Sequence, residues 1–290
     1  MWLSYTACGR VSHEPDAQGP VATGFLVGGS GECGPYEGVY AVLVAASTEC
    51  FPNLTLSEAV DRIVDLEYTS LEIDIHETGN HLRPSAVTAD VDAAIDACRN
   101  THRASIVSYS LQIAAQGPEH YQQFAACCRL AKATKVVTLT VPSAELGTPF
   151  NEEVEHLRRL VALAELDGVR VAIKSQVGRL SEDPDTVVVL CDNVHGLGVT
   201  LDPSHYICNP RGPKNYDRLM KYTYHVHLRD TARTALQVRV GQGEIEYGRL
   251  IGLLAKVDYD RALTVHIGEL PGVDHIAELR KMRLLLESLL

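Results

Sequence analysis

Several short apolar runs in this sequence carry, or end on, side chains that ionise or bind metals. Glu72, Asp74 and His76 alternate along and just past Ser70–Ile75. Lys174 follows Val169–Ile173. Asp202 follows Gly198–Leu201, with His205 three residues on. His225 and His227 alternate within Tyr222–Leu228, and Asp230 and Arg233 come next. His266 lies within Ala262–Ile267. A polar group on an apolar strand has to be satisfied internally or put to use. Carboxylates and imidazoles hold divalent ions and move protons. A lysine in such a place serves as an ion-pair partner or as a nucleophile toward a carbonyl. Strand alternation puts His225 and His227 on one side, with His227 nearer the C-terminal end.

These residues need elements to position them. The apolar runs number eight: Tyr40–Ala46, Ser70–Ile75, Ala104–Ser110, Lys135–Val141, Val169–Ile173, Gly198–Leu201, Tyr222–Leu228 and Ala262–Ile267. Continuous apolar runs suit parallel strands covered on both faces. Amphipathic stretches separate them. Thr55 and Glu58 form a T-x-x-E capping box ahead of a face made by Leu56, Ala59, Val60, Ile63 and Leu66. Val91, Ala94, Ile95 and Cys98 mark a second helix, and Tyr121, Phe124, Cys128 and Ala131 a third. Asn151 is placed to cap a fourth, whose inner face is Val154, Leu157, Val161 and Ala164. Thr186–Cys191, Tyr216–Tyr222, Gly248–Lys256 and Asp274–Leu289 fill the remaining helical slots.

Eight strand-then-helix units predict an α/β chain folded as a (β/α)8 TIM barrel over residues 39–290. An open doubly wound sheet fits less well, because no glycine-rich fingerprint follows the first strand. Active sites of such barrels lie at the C-terminal strand ends, so the ionisable residues are expected to share one mouth. Residues 1–38 are rich in glycine and aperiodic, and are expected to form a disordered extension. Their Gly28-Gly29-Ser30-Gly31 run precedes no helix, which argues against a phosphate loop.

Composition narrows the partners. The 290 residues are 46% hydrophobic and 22% charged, with a formal net charge of -11. So acidic a chain, with no basic run, is not expected to bind nucleic acid. No run of about 18 apolar residues predicts a membrane span. No secretory leader is evident, so the eight cysteines, none in a CxxC pair, are read as reduced thiols of a cytoplasmic protein. The sequon at Asn53-Leu54-Thr55 is then idle.

Three blocks carry a resemblance: Gly198-Val-Thr-Leu-Asp202-Pro-Ser-His205, then Tyr224-His225-Val-His227-Leu-Arg-Asp230-Thr231, then Val240-Gly241-Gln-Gly243-Glu244-Ile245. In order, spacing and strand placement they resemble the xylose-isomerase-like sugar isomerase and epimerase superfamily, over roughly residues 40 to 290. The resemblance implies a small sugar-like substrate and often a homo-oligomer. It also implies a divalent ion (Mn, Zn, Mg or Co) held by Glu, Asp, His and Glu from four strand ends. Asp202 and His227 match the Asp and the His. His205 matches a substrate-contacting histidine, and Arg233 an arginine that follows the metal histidine. The two glutamate positions hold Lys174 and His266 instead. In the epimerases those glutamates also move the proton, so the usual chemistry is not implied here.

A lysine in the ligand set has a cost. An ammonium about 4.5 Å from a divalent ion is repelled by roughly 7 kcal/mol at an effective dielectric near 20. Deprotonating it at pH 7 costs about 4.6 kcal/mol. Three arrangements stand open. Asp202, His227 and His266 hold a metal with Lys174 neutral or turned away. Or Lys174 pairs with Asp202 and stands in for the ion. Or Lys174 is a nucleophile. The leading reading is an isomerase- or epimerase-like enzyme, or a diverged lyase, acting on a sugar or polyhydroxylated carbonyl compound. In it Lys174 and His205 are catalytic, and Glu72, His205 and Arg233 bind substrate. Glu72 reads equally well as a satisfied interior group. The alternative is a non-catalytic sugar-binding relative.

Overall fold

The computed structural model describes residues 42–290. Eight parallel strands run β1 (Leu43–Ser47), β2 (Ser70–His76), β3 (Ser105–Gln112), β4 (Thr138–Pro142), β5 (Arg170–Lys174), β6 (Leu197–Leu201), β7 (Thr223–Leu228) and β8 (Ala262–Val265). Each pairs with the next, and β1 pairs with both β2 and β8, so the sheet closes into the expected barrel. All eight apolar runs form strands. Tyr40, at the start of the first run, and the residues read as an extension lie outside the described residues.

Helices cover the barrel: α1 (Leu56–Asp65), α2 (Pro84–Ala89), α3 (Val91–Arg99), α4 (Gly117–Ala133), α5 (Phe150–Glu165), α6 (Pro184–Asn193), α7 (Ser204–Ile207), α8 (Tyr247–Ala255) and α9 (His275–Glu287). The capping box forms as read: Thr55 N donates to Glu58 Oε2 at 2.9 Å and Glu58 N donates to Thr55 Oγ1 at 3.4 Å. Three local expectations need correction. Asn151 does not cap α5. Pro149 is the cap residue, and its restricted φ of -56° starts the helix two residues earlier. Tyr216–Tyr222 is no α-helix but a 3-10 turn over Asp217–Tyr222. The chain after β6 crosses Pro210, Gly212 and Pro213, which break any continuous helix. The fourth strand also starts later than read, because Lys135 takes a left-handed φ of 62° at the end of the preceding turn.

The strands alternate more strictly than their composition implied. Leu71, Ile73 and Ile75 are fully buried in the shell between sheet and helices, whereas Glu72 points inward. Bonds between non-adjacent strands define the interior: Thr140 Oγ1 to Thr200 Oγ1 at 2.7 Å, and Ser108 Oγ to His225 Nε2 at 3.0 Å. TIM-barrel interiors are ordinarily filled by branched apolar side chains. Much of this one is built of Ser, Thr, Glu and His, bonded to one another across the barrel. Outside, Gly198 permits the close approach of β6 to the Tyr224 ring, since a Cβ there would lie 2.2 Å from it.

Candidate active site

The interior groups form tiers along the barrel axis. In the lowest, Glu72 Oε2 accepts from Ser108 Oγ at 2.6 Å and from His227 Nε2 at 2.9 Å, with His225 Nε2 3.1 Å away. Burial works against the charged carboxylate, but His227 and His225 hold its pKa well below the usual range. Because Nε2 of His227 gives its hydrogen to Glu72, Nδ1 carries a bare lone pair. That atom is buried and has no hydrogen-bond partner. Burial pushes His227 down to about 3, so its ring is neutral at pH 7.

The middle tier joins β6, β7 and β8. Asp202 follows β6, and its Oδ1 accepts from Ser204 N at 3.1 Å and from Ser204 Oγ. Arg229, the first residue after β7, sends Nη2 to Asp202 Oδ2 at 3.0 Å and to His266 Nδ1 at 2.6 Å. Burial opposes the Asp202 charge, yet Arg229 and then His205 keep its pKa below the normal range. With Nδ1 of His266 accepting, its Nε2 hydrogen goes to Glu49 Oε2 at 2.6 Å. The His227 and His266 rings stack with centroids 4.6 Å apart. His205 lies beside them. Its Nδ1 accepts from Val177 N at 3.3 Å, so its Nε2 hydrogen faces Asp202 Oδ2, 3.7 Å away.

The top tier faces a cavity of about 460 Å³ whose wall includes Glu49, Asp74, Lys174, Gln112 and Gln176. Lys174 Nζ stands 3.4 Å from His266 Nε2. That nitrogen's hydrogen is directed at Glu49, so the lysine rests beside the ring and keeps its own hydrogens for the cavity. Glu49 is held below the usual carboxylate range, first by His266 and against the cost of burial. Asp74 is pushed the other way, well above its usual range, first by burial and then by the charges of Glu49 and Glu72. A larger groove of about 760 Å³ runs outside between α4 and α5, lined by Tyr121, His156 and Arg159, and holds none of these strand-end groups.

A barrel with its polar cluster at the C-terminal strand ends invites comparison. The family model described as a xylose isomerase-like TIM barrel matches residues 60–283. The chain belongs to that family. Among solved structures, this xylose isomerase-like barrel is similar to a D-allulose 3-epimerase from Methylomonas sp. (13% identity, 86% of this chain and 98% of that one, TM-score 0.67). It is similar to a 3-keto-D-glucoside 4-epimerase from E. coli (13% identity, 86% and 100%, TM-score 0.65). It also matches a xylose isomerase domain protein from Alicyclobacillus acidocaldarius (14% identity, 86% and 98%, TM-score 0.68). At such identities the likeness is one of fold. No curated protein sequence matches.

The xylose isomerase-like barrel brings Lys174, Asp202, His205, His227 and His266 to one mouth. It does not bring Arg233 there. Arg233 is exposed on the loop after β7, where its Nε pairs with Glu244 at 3.1 Å. An antiparallel bridge between Ala232 and Ala235 makes a tight turn at that point. Glu72 is fully buried beneath His227, which favours the interior-group reading over substrate contact. His225 is likewise an interior residue, bonded to Thr264 Oγ1 at 3.0 Å. Asp230 shapes the loop, its Oδ2 accepting from Gly241 N at 2.7 Å and Gly243 N at 3.0 Å. Two residues the sequence reading passed over are central: Arg229 and Glu49.

The donor atoms of Asp202, His227 and His266 lie within 4.8 Å of one another, as a three-ligand metal site requires. The lone pair on His227 Nδ1, backed by a carboxylate on the far ring nitrogen, suits such a site. The other two donors do not. Both are engaged by the Arg229 guanidinium, and Lys174 stands alongside. With Arg229 in place the residues present do not fit a divalent ion. Of the three arrangements open to Lys174, its pairing with Asp202 is not formed, and Arg229 takes that place.

Burial sets a pH dependence. His205 is pushed down to about 4 by burial, like His227, which is lower still, and like His156 on the outer face. An unfolded histidine takes a proton near pH 6.5, and these folded ones resist it. Their stability contribution is complete above about pH 6.5 and is lost as pH falls toward the folded values. Thermal unfolding between pH 6.5 and 5 is therefore expected to show a falling melting temperature. Each buried histidine contributes up to about 1.4 kcal/mol per pH unit. His205→Asn should shallow that slope by one histidine's share, and an unchanged slope in this variant would contradict the assignment.

Proposed function

We propose that the chain is an enzyme acting on a sugar or polyhydroxylated carbonyl compound, moving a proton at the carbon beside the carbonyl. The observation that carries this reading is the meeting of Glu49, Asp74 and Lys174 on one cavity wall. Lys174 is placed to hold the carbonyl oxygen and the negative charge that gathers on it when the neighbouring C–H bond breaks. Glu49, the ionised carboxylate of the wall, accepts that proton, and Asp74, whose pKa burial and the Glu49 charge raise, supplies one to the intermediate. Exchange with water restores both. Neutral His205 and Arg229 hold Asp202 behind this surface. Amides of Gln112, Gln176, Asn53 and Asn80 line the rest of the cavity and match the hydroxyl groups of a sugar.

Similarity to the two epimerases supports the substrate class. Six free cysteines among the described residues, five of them buried, suit a reducing cytoplasm, and no described helix is long and apolar enough to cross a membrane. The test is solvent-exchange NMR in D2O over a panel of keto and aldo sugars. Deuterium should enter beside the carbonyl of at least one of them. Saturable sugar binding without exchange across the panel would instead establish the non-catalytic relative.

A further inference from the structure

The middle tier presents three metal-type donors and an internal cation that already uses two of them. We infer that Arg229 is the resident cation of the Asp202–His227–His266 cluster and keeps divalent metal out of it. Arg229 Nη2 lies 3.0 Å from Asp202 Oδ2 and 2.6 Å from His266 Nδ1, so it occupies the side of each ligand that a metal would need. Alternation explains how it arrives there. His225, His227 and Arg229 stand at successive inward positions of β7 and its first following residue, so the guanidinium is delivered from directly above His227.

The rest of the cluster is arranged to suit a fixed guanidinium. Glu49 accepts the Nε2 hydrogen of the His266 ring, which leaves the Nδ1 lone pair to accept from Arg229. Ser204 saturates Asp202 Oδ1 and directs Oδ2 at the arginine. Lys174 adds a second positive charge beside His266. A singly charged group thus takes up the Asp202 carboxylate oxygen and the His266 lone pair. Of the three donors, His227 Nδ1 is the one left without a partner. This inference concerns what fills the cluster and stands apart from whether the cavity above it turns over a sugar.

The probe is Co²⁺, titrated into metal-stripped protein and followed by calorimetry and by its visible absorption bands, which report nitrogen and oxygen coordination. Wild-type protein is expected to bind it weakly and without those bands. Arg229→Gln frees Asp202 Oδ2 and His266 Nδ1, and should bind one Co²⁺ at least about tenfold more tightly, on the scale by which groups around a metal tune its affinity. In the double variant Arg229→Gln, His227→Ala the gain should vanish. Stoichiometric Co²⁺ binding by the wild type that His227→Ala abolishes would overturn the inference, and this comparison decides the matter even where Arg229→Gln does not fold. An Arg229→Gln protein that folds and binds Co²⁺ no better than wild type would overturn it as well.

Discussion

Lys174→Met is expected to lower kcat/KM by roughly 10²- to 10³-fold, the loss typical when a donor to a developing oxyanion is removed. Methionine keeps the length and most of the volume of the side chain but supplies no hydrogen. The neighbouring groups are otherwise paired: His266 keeps Arg229 and Glu49, and Asp202 keeps Arg229 and Ser204. Stability should therefore move little, by about 0.5 kcal/mol in either direction. The measurement is steady-state kinetics on whichever sugar shows solvent exchange, paired with thermal unfolding. A variant retaining activity within about threefold of wild type would remove Lys174 from the chemistry, because no oxyanion donor of this kind is so dispensable.

Glu72→Ala should produce the largest loss of stability. The carboxylate is fully buried, accepts from Ser108 and His227, and lies 3.1 Å from His225. Its removal strands two donors inside the barrel and leaves space that no neighbour fills. Breaking a buried charged network from one side costs about 3 to 5 kcal/mol. For a domain of this size that corresponds to a fall of roughly 6 to 15 °C in melting temperature. Glu72→Gln keeps the shape and one accepting oxygen, and should lie between the two proteins. A melting temperature for Glu72→Ala within about 2 °C of wild type would show that the lowest tier contributes far less than its connectivity indicates.

The barrel was legible in the sequence because its outer face is uniform. Residues such as Leu71, Ile73, Val171, Ile173, Val199 and Leu201 pack against helices, and that requirement repeats in every unit. Strand ends were legible for the same reason, and so was the meeting of Lys174, Asp202, His227 and His266. The inner network was only half legible. That Glu72 must be satisfied follows from its place on an apolar strand, but that His225, His227 and Ser108 satisfy it depends on strand stagger, which no local pattern encodes. Arg229 could have been found. The alternation that aligned His225 with His227 continues to it, one step past the strand. Glu49 could not, because it leaves the wall of β1 on a 3-10 turn (Thr48–Cys50) whose direction periodicity does not report. The role given to Arg233 came from resemblance in spacing, and its side chain is exposed on the loop and paired with Glu244 instead.

The loop after β7 is tied down at its far end as well as its root. Beyond Asp230, which gathers Gly241 and Gly243, the backbone nitrogen of Val240 donates to Glu278 Oε2 at 2.6 Å, and Glu278 stands in the first turn of α9. The final helix of the barrel is therefore also a buttress for the rim. A displacement of α9 by a neighbouring molecule, or a charge change at Glu278, would be felt as slack in a strap that borders the opening, with every strand still in place.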